Sequence, residues 1–410
     1  MSSIKVVEGG VTVPKGFYAS SVSAQIKYKN REDMALVYSE EKCVSAGVYT
    51  SNVVKAAPVI WDKNITDTDT KVRAVVINSG IANACTGEKG LEICKKTGEA
   101  VAGITGDTPE SVLVASTGVI GMQIPVDRIT EGAVKLVETK DSSVAAGTRA
   151  SKAIMTTDTV NKEIATEFTV GGKTAHMGAM TKGAGMIHPN MCTMLCFVTT
   201  DAAIDKKLMQ EALSETVKDT FNMISVDGDT STNDTLVILS NGLAGNDIIT
   251  EKNDDYNTFK ENLFYICRDL AMRMAGDGEG ATALFEAQVK NAKTKEDAKL
   301  MARSVVSSSL SKAAIFGHDA NFGRFLCAMG YSGADFDQND VELTFVSDRG
   351  QMKVFDHGEP LALDEEKATD ILSSKKVTIL INMNEGSEEA TAWGCDLSYD
   401  YVKINADYRS

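Results

Sequence analysis

Short apolar runs and longer amphipathic segments alternate along the chain. The short runs are rich in Val, Ile, Leu and Thr and are bounded by polar or glycine-containing stretches, a pattern typical of buried or half-buried strands. The predicted strands cover residues 72–77, 112–116, 235–239, 341–346, 377–382 and 401–405. Strands are therefore expected throughout the chain.

The longer segments repeat apolar residues every three to four positions and predict amphipathic helices. The predicted helices cover residues 90–101, 128–138, 206–223, 256–275 and 295–312. Asp201 and Asp205 precede the third helix, and either carboxylate is a plausible N-cap. Strands that follow one another late in the chain favour antiparallel pairing over a doubly wound sheet, so we predict an α+β fold.

Length and composition set the scale of this fold. A chain of 410 residues exceeds what one hydrophobic core usually organises, so two packed lobes are expected. With 43% hydrophobic and 24% charged residues, the chain has enough apolar surface to fold as a globular protein. The sequence opens without a basic leader, and no segment has about 18 consecutive apolar residues, so we expect a cytoplasmic protein.

Charge and cysteine content exclude several classes of function. The formal net charge of -15 disfavours nucleic acid and anionic membranes as partners, because both attract basic surfaces. The eight cysteines include no C-x-x-C pair and are expected to be free thiols in a reducing compartment. The four histidines have no metal-ligand spacing to one another or to nearby cysteines, so we expect no metal site.

Two glycine motifs resemble nucleotide-binding loops but lack an essential feature of each. Gly276, Gly278 and Ala281 match the dinucleotide pattern, yet they follow a predicted helix, whereas that loop must follow a strand. The run GGKT at residues 171–174 ends like a phosphate loop, but Glu167 stands where the first glycine is required. We therefore predict a turn at 171–174 and expect no nicotinamide cofactor.

The most informative segment is KGAGMIHPNMCTMLCFVTTDA, residues 182–202, in which a glycine-rich polar half changes to an apolar run at Thr193. A threonine hydroxyl is a weak nucleophile, but a threonine at a chain N-terminus carries an α-amine of pKa about 8 that can act as its base. Gly183 and Gly185 are expected to supply the unusual backbone that an autoproteolytic bend needs. The residues alone leave open that the segment is a loop leading into a core strand.

This segment resembles the ornithine acetyltransferase family, also called the glutamate N-acetyltransferase or ArgJ family, whose members split before a threonine inside KGxGM…ATML. The similarity extends from Val13 to the C-terminus. It is carried by INSGIANACTG at 77–87, STGVIG at 116–121, MTTDT at 155–159, DGDTSTNDT at 227–235, GDGEGAT at 276–282 and the ending WGCDLSYDYVKINADYRS. The motifs occur in one order along nearly all of the chain, which makes coincidence implausible.

The resemblance implies a DmpA/ArgJ-like fold, in which stacked mixed β-sheets lie between helices, similar but not identical to N-terminal nucleophile hydrolases. It also implies self-cleavage between Cys192 and Thr193, into an alpha chain of residues 1–192 and a beta chain of residues 193–410. Cys192 stands where the family usually has alanine, and its small side chain is compatible with cleavage. The two chains are expected to stay together in an α2β2 heterotetramer.

The resemblance also assigns catalytic roles. Thr193 is expected to attack the acetyl carbonyl of N-acetylornithine, while its α-amine, or a water held by it, takes the proton. The resulting oxyanion is expected to bind the Thr117 hydroxyl and the Gly118 backbone N–H. Glutamate then takes the acetyl group from Thr193, in a ping-pong cycle that belongs to arginine biosynthesis.

The substrate contacts implied by the resemblance need groups of both charge signs. Lys182 is expected to bind the substrate α-carboxylate and Glu279 the ornithine ammonium, with Thr156, Asn405 and Ser410 completing the contacts. The involvement of Ser410, the last residue, would place the C-terminus in the site. Without the resemblance, Lys182 would be interpreted as a surface amine and Glu279 as an exposed loop carboxylate.

No cofactor is expected, because the threonine ester holds the acetyl group between the half-reactions; use of acetyl-CoA as a further acetyl donor is left open. Two other functions also stay open. One is a self-processing amidohydrolase or aminopeptidase that passes the acyl group to water, and the other is an amino-acid-binding protein that is never cleaved. A variant of the mechanism makes Cys192 the new N-terminus and the nucleophile.

Overall fold

The structure is a computed structural model that describes residues 4–188 and 194–407. Within these ranges the chain divides into two compact units, as its length led us to expect. The first unit takes in the described residues of 1–183, 190–218 and 230–270, and the second those of 184–189, 219–229 and 271–410. The path of the chain therefore passes between the units several times.

The described residues contain sixteen strands, numbered in chain order. They are β1 Lys5–Val7, β2 Phe17–Val22, β3 Met34–Tyr49, β4 Val72–Asn78, β5 Val112–Ser116, β6 Lys162–Val170, β7 Lys173–Lys182, β8 Leu195–Thr200, β9 Ile224–Ser225, β10 Thr235–Ser240, β11 Leu284–Ala292, β12 Glu342–Ser347, β13 Gly350–Asp356, β14 Glu359–Pro360, β15 Lys376–Asn382 and β16 Glu388–Cys395.

The same residues contain eleven α-helices. They are α1 Ala57–Thr66, α2 Glu88–Thr105, α3 Val126–Glu138, α4 Val144–Ala153, α5 Lys206–Lys218, α6 Asp254–Gly276, α7 Lys295–Ser307, α8 Ser309–Gly317, α9 Phe322–Gly330, α10 Glu365–Leu372 and α11 Tyr399–Ala406.

The first unit is built on a nine-stranded mixed sheet in the order β1-β6-β7-β8-β10-β3-β4-β5, with β2 also paired to β3. The pairs β8/β10 and β4/β5 are parallel, and the others are antiparallel. The long strand β3 pairs with β2 and β4 and, through its last residues, with β10. It thereby joins both halves of the sheet.

Both faces of this sheet are buried. Along β3, Ala35 and Val37 belong to one hydrophobic cluster, whereas Met34 and Leu36 belong to another, because successive side chains point to opposite faces. Helices α1 and α4 contribute to the first cluster, and α2 and α3 contribute to the second. Burial on both faces explains why the central strands are continuous apolar runs in the sequence.

The second unit is built on a seven-stranded mixed sheet in the order β14-β13-β12-β15-β11-β16-β9. The pairs β11/β15 and β16/β9 are parallel, whereas β12 pairs antiparallel with both β13 and β15. Helix α7 packs against β11 and β16. Phe325 of α9 packs against Phe285 of β11 and Phe345 of β12, with ring centroids 6.0 and 5.9 Å apart. Mixed sheets packed against helices confirm the predicted α+β class.

Most predicted elements are present, but three predictions need correction. Residues 401–405, predicted as a strand, belong to helix α11. The helix predicted at 206–223 ends at Lys218, and a separate 3-10 turn covers 221–223. The helix predicted at 295–312 is two helices, because Ser308 leaves the helical conformation and its Oγ accepts a hydrogen bond from the Ser311 N–H.

The two candidate N-caps have different partners. Asp205 caps α5, because its Oδ1 accepts hydrogen bonds from the N–H groups of Lys207 and Leu208 at 2.9 and 3.3 Å. Asp201 instead accepts from the backbone N–H groups of Lys15 and His176.

The glycine pair at 171–172 forms the turn predicted there. Gly171 and Gly172 both have positive φ, 53° and 72°, and join β6 to β7 in a two-residue hairpin.

Candidate active site

The predicted site residues fall into two groups of neighbours. The first unit contains Thr117, Gly118, Thr156 and Lys182. The second unit contains Glu279 and Asn405. Cys192, Thr193 and Ser410 lie outside the described residues.

Lys182 is the centre of the first group. It is the last residue of β7 and is only 7% exposed, so it is a buried ammonium and not a surface amine. Its Nζ donates hydrogen bonds to Thr156 Oγ1 at 2.8 Å and to Thr117 Oγ1 at 3.3 Å. Thr117 follows β5 and Thr156 follows α4, so the fold brings together three motifs that are distant in the sequence.

The sheet register relates Lys182 to the segment that follows Thr193. Strand β8 begins at Leu195, which is the register partner of Lys182 on β7. The preceding residue, Met194, is held by its carbonyl, which accepts a hydrogen bond from the Thr235 N–H at 2.8 Å. Met194 and Leu195, the two residues after Thr193 in the sequence, therefore lie in a segment that is fixed beside Lys182.

Asp158 organises this group, and sequence reasoning did not identify it. Its Oδ1 accepts hydrogen bonds from Lys162 Nζ at 2.9 Å and from the Gly183 N–H at 2.7 Å, and its Oδ2 accepts from the Thr156 N–H at 3.1 Å. Lys182 Nζ lies 3.7 Å from Oδ2. The carboxylate thus holds the backbone of Gly183, next to Lys182, and the backbone of Thr156, whose hydroxyl contacts Lys182.

The Asp158 carboxyl is charged despite its burial. Burial by itself raises the pKa of this carboxyl, but the Lys182 and Lys162 ammonium groups and the hydrogen bond from Gly183 outweigh it. The pKa consequently lies well below the usual range of an aspartate. A signal was present in the sequence: Asp158 belongs to the MTTDT motif, and Lys162 follows it by four residues at the start of a strand.

Gly118 occupies a turn that admits no side chain. Its φ is 127°, and a Cβ would lie 2.3 Å from the carbonyl carbon of Gly80 and 2.4 Å from the carbonyl oxygen. The neighbouring Thr117 N–H donates to Asn78 O at 3.0 Å, whereas no described residue accepts a hydrogen bond from the Gly118 N–H. That N–H is a backbone donor of the kind that stabilises an oxyanion.

Buried polar side chains hold this turn in place. Ser116 Oγ donates to Asn78 Oδ1 at 2.7 Å, and Asn78 Nδ2 donates to Ile81 O at 2.9 Å. Asn233 Nδ2 donates to both Ala82 O and Ser116 O, at 2.6 and 2.8 Å. Three motifs of the sequence thus meet through hydrogen bonds around one turn, which fixes its geometry.

In the second unit, Glu279 and Asn405 are direct partners. Glu279 lies in the loop after α6 and is 6% exposed, so it is not the exposed carboxylate that its position suggested. Its Oε2 accepts a hydrogen bond from Asn405 Nδ2 at 2.7 Å. A Cβ on Gly185 would lie 2.4 Å from the Glu279 carboxylate, so only glycine allows this approach.

The backbone role expected of Gly183 and Gly185 is not the one observed. Neither glycine has a positive φ; in this segment Met186 does, at 55°. Gly183 instead donates its N–H to Asp158, and Gly185 makes room for Glu279. Close packing against Glu279 therefore accounts for the glycine at 185, within the second unit.

Acidic residues in the second unit fix the segments around Glu279. Asp396 accepts from the Thr282 N–H and Oγ1 at 2.8 and 2.6 Å, which holds the end of the Glu279 loop. Asp227 accepts from the N–H groups of Met186 and Ile187 at 2.6 and 2.8 Å. Sequence reasoning identified neither carboxylate as part of the site.

Tyr401 of α11 also contacts Asp227, through a hydrogen bond of 3.3 Å from its hydroxyl to Oδ2. Burial and the Asp227 charge raise the pKa of Tyr401 well above its usual value, so its hydroxyl stays a donor. The C-terminal helix is thereby tied to the segment before the predicted cleavage site.

One trio in the described ranges has the composition of a metal site: Glu342, Asp356 and His357. Lys353 Nζ lies 3.1 Å from Glu342 Oε2 and 3.0 Å from Asp356 Oδ1, so an ammonium already balances these carboxylates. The trio is partly exposed and contains none of the predicted site residues.

Comparison with known proteins identifies the class to which this fold and site belong. A family model described as the ArgJ family matches residues 18–410. The chain belongs to the ArgJ family.

One relative spans nearly the whole chain, and two solved structures each cover about half of it. The arginine biosynthesis bifunctional protein ArgJ of Caldanaerobacter subterraneus subsp. tengcongensis is 48% identical over 407 residues, covering 99% of this chain and 100% of that protein. The crystal structure of the Bacillus halodurans arginine biosynthesis bifunctional protein ArgJ is 44% identical, covers 51% of this chain and 97% of its own, and has a TM-score of 0.49. The Mycobacterium tuberculosis ornithine acetyltransferase complexed with ornithine is 39% identical, covers 47% and 100%, and has a TM-score of 0.41.

These matches confirm the family predicted from the sequence motifs, and with it the prediction of an acyltransferase of arginine biosynthesis. The roles of individual site residues stay predictions. No helix within residues 4–188 and 194–407 combines the length and apolar character needed to cross a bilayer.

Proposed function

We propose that this enzyme transfers the acetyl group of N-acetylornithine to glutamate through an acetyl ester on Thr193. The observation that carries this proposal is the buried Lys182 ammonium, which donates to the hydroxyls of Thr117 and Thr156. A fixed positive charge beside a hydroxyl and a backbone donor is the arrangement that binds a carboxylate and stabilises a developing oxyanion. The ornithine acetyltransferase named above supports the choice of substrate.

In the proposed maturation step, the peptide bond between Cys192 and Thr193 is hydrolysed, so that one water is consumed, Cys192 gains a carboxylate and Thr193 gains a free α-amine. In the first half-reaction, the Thr193 hydroxyl forms an ester with the acetyl carbon, the carbon–nitrogen bond of N-acetylornithine breaks, and ornithine leaves with the proton. Thr117 and the Gly118 N–H stabilise the oxyanion. The glutamate amine then forms a carbon–nitrogen bond with the acetyl carbon, the ester carbon–oxygen bond breaks, the amine proton returns to the Thr193 hydroxyl, and N-acetylglutamate leaves.

Each charged end of the substrate has a proposed partner. Lys182, with Thr156, binds the α-carboxylate that N-acetylornithine and glutamate share. Glu279, held by Asn405, binds the ornithine ammonium, and Ser410 completes the contacts. The ester itself holds the acetyl group, so the proposed cycle requires no cofactor.

Three finer features belong to the same proposal. Acetyl-CoA serves as a second acetyl donor, consistent with the word bifunctional in the names of the relatives. The two fragments assemble as an α2β2 heterotetramer. The reaction takes place in the cytoplasm.

Intact mass under denaturing conditions tests the maturation step. We expect wild type to give two fragments that meet before Thr193, Thr193→Ser to be cleaved at the same bond, and Thr193→Ala to stay whole. Cys192→Ala should be cleaved like wild type, because its side chain plays no part. Fragments that begin at Cys192 would identify that thiol as the nucleophile, and an uncleaved wild type would contradict the mechanism.

An acetyl-transfer assay tests the reaction. Purified enzyme with N-acetylornithine and glutamate should form ornithine and N-acetylglutamate in equal amounts. Continuous acetate release without glutamate would identify a hydrolase instead. Binding of N-acetylornithine without turnover, by an uncleaved chain, would identify a binding protein.

A further inference from the structure

Three charged side chains form a buried cluster in the first unit: Asp158, Lys162 and Lys182. The side chains of Asp158 and Lys162 have no exposed surface, and that of Lys182 is 9% exposed. Lys162 opens β6, where it pairs in register with Thr181, the neighbour of Lys182. The cluster therefore joins two adjacent strands and the loop that carries Thr156.

The two ammonium groups lie at different distances from the carboxylate. Lys162 Nζ lies 2.9 Å from Asp158 Oδ1, whereas Lys182 Nζ lies 3.7 Å from Oδ2. Lys182 makes its shorter contact with Thr156 Oγ1, at 2.8 Å. Asp158 thus has a direct hydrogen-bonded ion pair with Lys162 and a longer ion pair with Lys182, and both ammonium charges lower its pKa.

The three groups together carry one positive charge. If Asp158 and Lys182 were buried alone, their charges would cancel, and a carboxylate entering the site would compete with Asp158 for the same ammonium. With Lys162 present, Asp158 has a second ammonium at 2.9 Å, so an entering carboxylate competes less with Asp158 for the Lys182 ammonium. The α-carboxylate common to both substrates is such an anion.

We infer that Lys162 is a positioning residue of the active site, which pairs with Asp158 so that the Lys182 ammonium can bind the substrate carboxylate. This inference rests on the proposed function. Lys162 has no exposed surface, so it acts through Asp158 and not by contact with the substrate.

Substitutions at Lys162 and Asp158 change the net charge of the cluster one unit at a time. Lys162→Met leaves a net charge of zero, and Asp158 then pairs with Lys182 alone. We expect KM for N-acetylornithine and for glutamate to rise about 10- to 100-fold, with a smaller change in kcat. Lys162→Arg keeps the charge and should retain most of the affinity.

The double variant Asp158→Asn/Lys162→Met removes both charges and restores one net positive charge on Lys182. Its asparagine can still accept the hydrogen bond from the Gly183 N–H, and it leaves no carboxylate without its ammonium. KM should therefore return to within several-fold of wild type, although two residues have changed.

A neutral substrate separates this role of charge from a role in packing. Wild type should prefer N-acetylornithine to its α-carboxamide in kcat/KM by about 10- to 100-fold. Lys162→Met should lose most of this preference, and the double variant should regain it. A residue that only filled space would affect both substrates equally.

The outcomes distinguish this inference from the proposed function. A Lys162→Met enzyme that keeps the wild-type preference overturns the inference and leaves the acetyl transfer intact. If wild type shows no acetyl transfer, the proposed function fails, and the inference fails with it. If Lys162→Met does not fold, Asp158→Asn provides the test, because it leaves two positive charges in the cluster. This variant should prefer N-acetylornithine to its α-carboxamide more strongly than the double variant does. Equal preferences would overturn the inference.

Discussion

Gly118 is a residue at which the first unit tolerates little change. A methyl group there would overlap the Gly80 backbone, and the φ of 127° disfavours any residue with a side chain. Gly118→Ala should shift the turn that carries the predicted oxyanion donor, with a loss in kcat of about 100- to 1000-fold, the effect of removing one such donor. Initial rates at saturating substrate measure this loss.

Gly121→Ala is a matched control for Gly118→Ala. Gly121 lies in the same segment with a φ of 84°, but a Cβ there would meet nothing within 4 Å. We expect a small loss of stability from the backbone strain and nearly full activity. Equal loss of activity in both variants would show that strain, and not the position of the Gly118 N–H, causes the effect.

His176 introduces a pH dependence of stability in the same unit. Its Nδ1 lies 3.2 Å from Asp201 Oδ2, and its Nε2 lies 3.6 Å from Glu167 Oε2. The hydrogen bond to Asp201 raises the pKa of His176; burial and Lys15 oppose this shift, and the charges of Asp201 and Glu167 add to it. The protonated imidazole is thus favoured in the folded state.

The sign of the effect follows from the raised pKa. This stabilisation is fully present below the unfolded pKa of about 6.5 and is lost as the pH rises through the higher folded value. The difference in Tm between wild type and His176→Gln should therefore be larger at about pH 5.5 than at about pH 8.5. His357→Gln, at an exposed histidine, is the control, and a His176→Gln difference that does not change with pH would contradict the prediction.

At the scale of elements, helix α11 differs most from its prediction. Residues 401–405 alternate apolar and polar side chains in part, which favours a strand. In the structure, Tyr401 and Asn405 lie one helical turn apart and contact Asp227 and Glu279, respectively. A strand would not bring residues four positions apart this close, so tertiary contacts override the local pattern.

Asn405→Ala tests whether α11 orients Glu279. The variant removes a hydrogen bond of 2.7 Å that holds the buried Glu279 carboxylate. Loss of such a bond should lower the affinity for the ornithine ammonium about tenfold. We expect KM for N-acetylornithine to rise about tenfold and KM for glutamate to change less, because glutamate has no side-chain ammonium. Lys403→Ala, on an exposed position of the same helix, should leave both KM values unchanged. Parallel increases in both KM values would contradict a specific role through Glu279.

At the scale of the whole molecule, the predicted fragments share one sheet. Strands β8 and β10, which belong to the predicted beta chain, lie between β7 and β3, which belong to the alpha chain. Strand β8 pairs with β7 over six residues, and β10 pairs with β3 over six. The nine-stranded sheet is therefore built from both fragments.

Cleavage before Thr193 should consequently leave the protein in one piece under native conditions. Separating the fragments would break the centre of a buried sheet, so the fragments should elute together in size exclusion and should separate only in denaturant. Thr193→Ala, which stays whole, should elute at the same volume as wild type. Release of either fragment from folded, cleaved enzyme would contradict this strand order.

The sequence by itself determined the family, the α+β class and most elements, because strand and helix periodicity and ordered motifs are local properties of the chain. It also predicted that Lys182, Thr117 and Thr156 share a site, but only through the family resemblance. The burial of Lys182 was not predictable, since a single lysine in a sequence gives no sign of its surroundings.

Only the tertiary structure decided which groups act on these residues. Asp158 and Lys162 are ordinary charged residues in the sequence, and their role appears when β6 and β7 pair and bring both ammonium groups to one carboxylate. Likewise, Gly118 admits no side chain because the Gly80 backbone approaches it, and Gly185 leaves room for the Glu279 carboxylate. Local periodicity specifies elements, whereas the charge balance and close contacts of a site depend on strand register and on loops from distant parts of the chain.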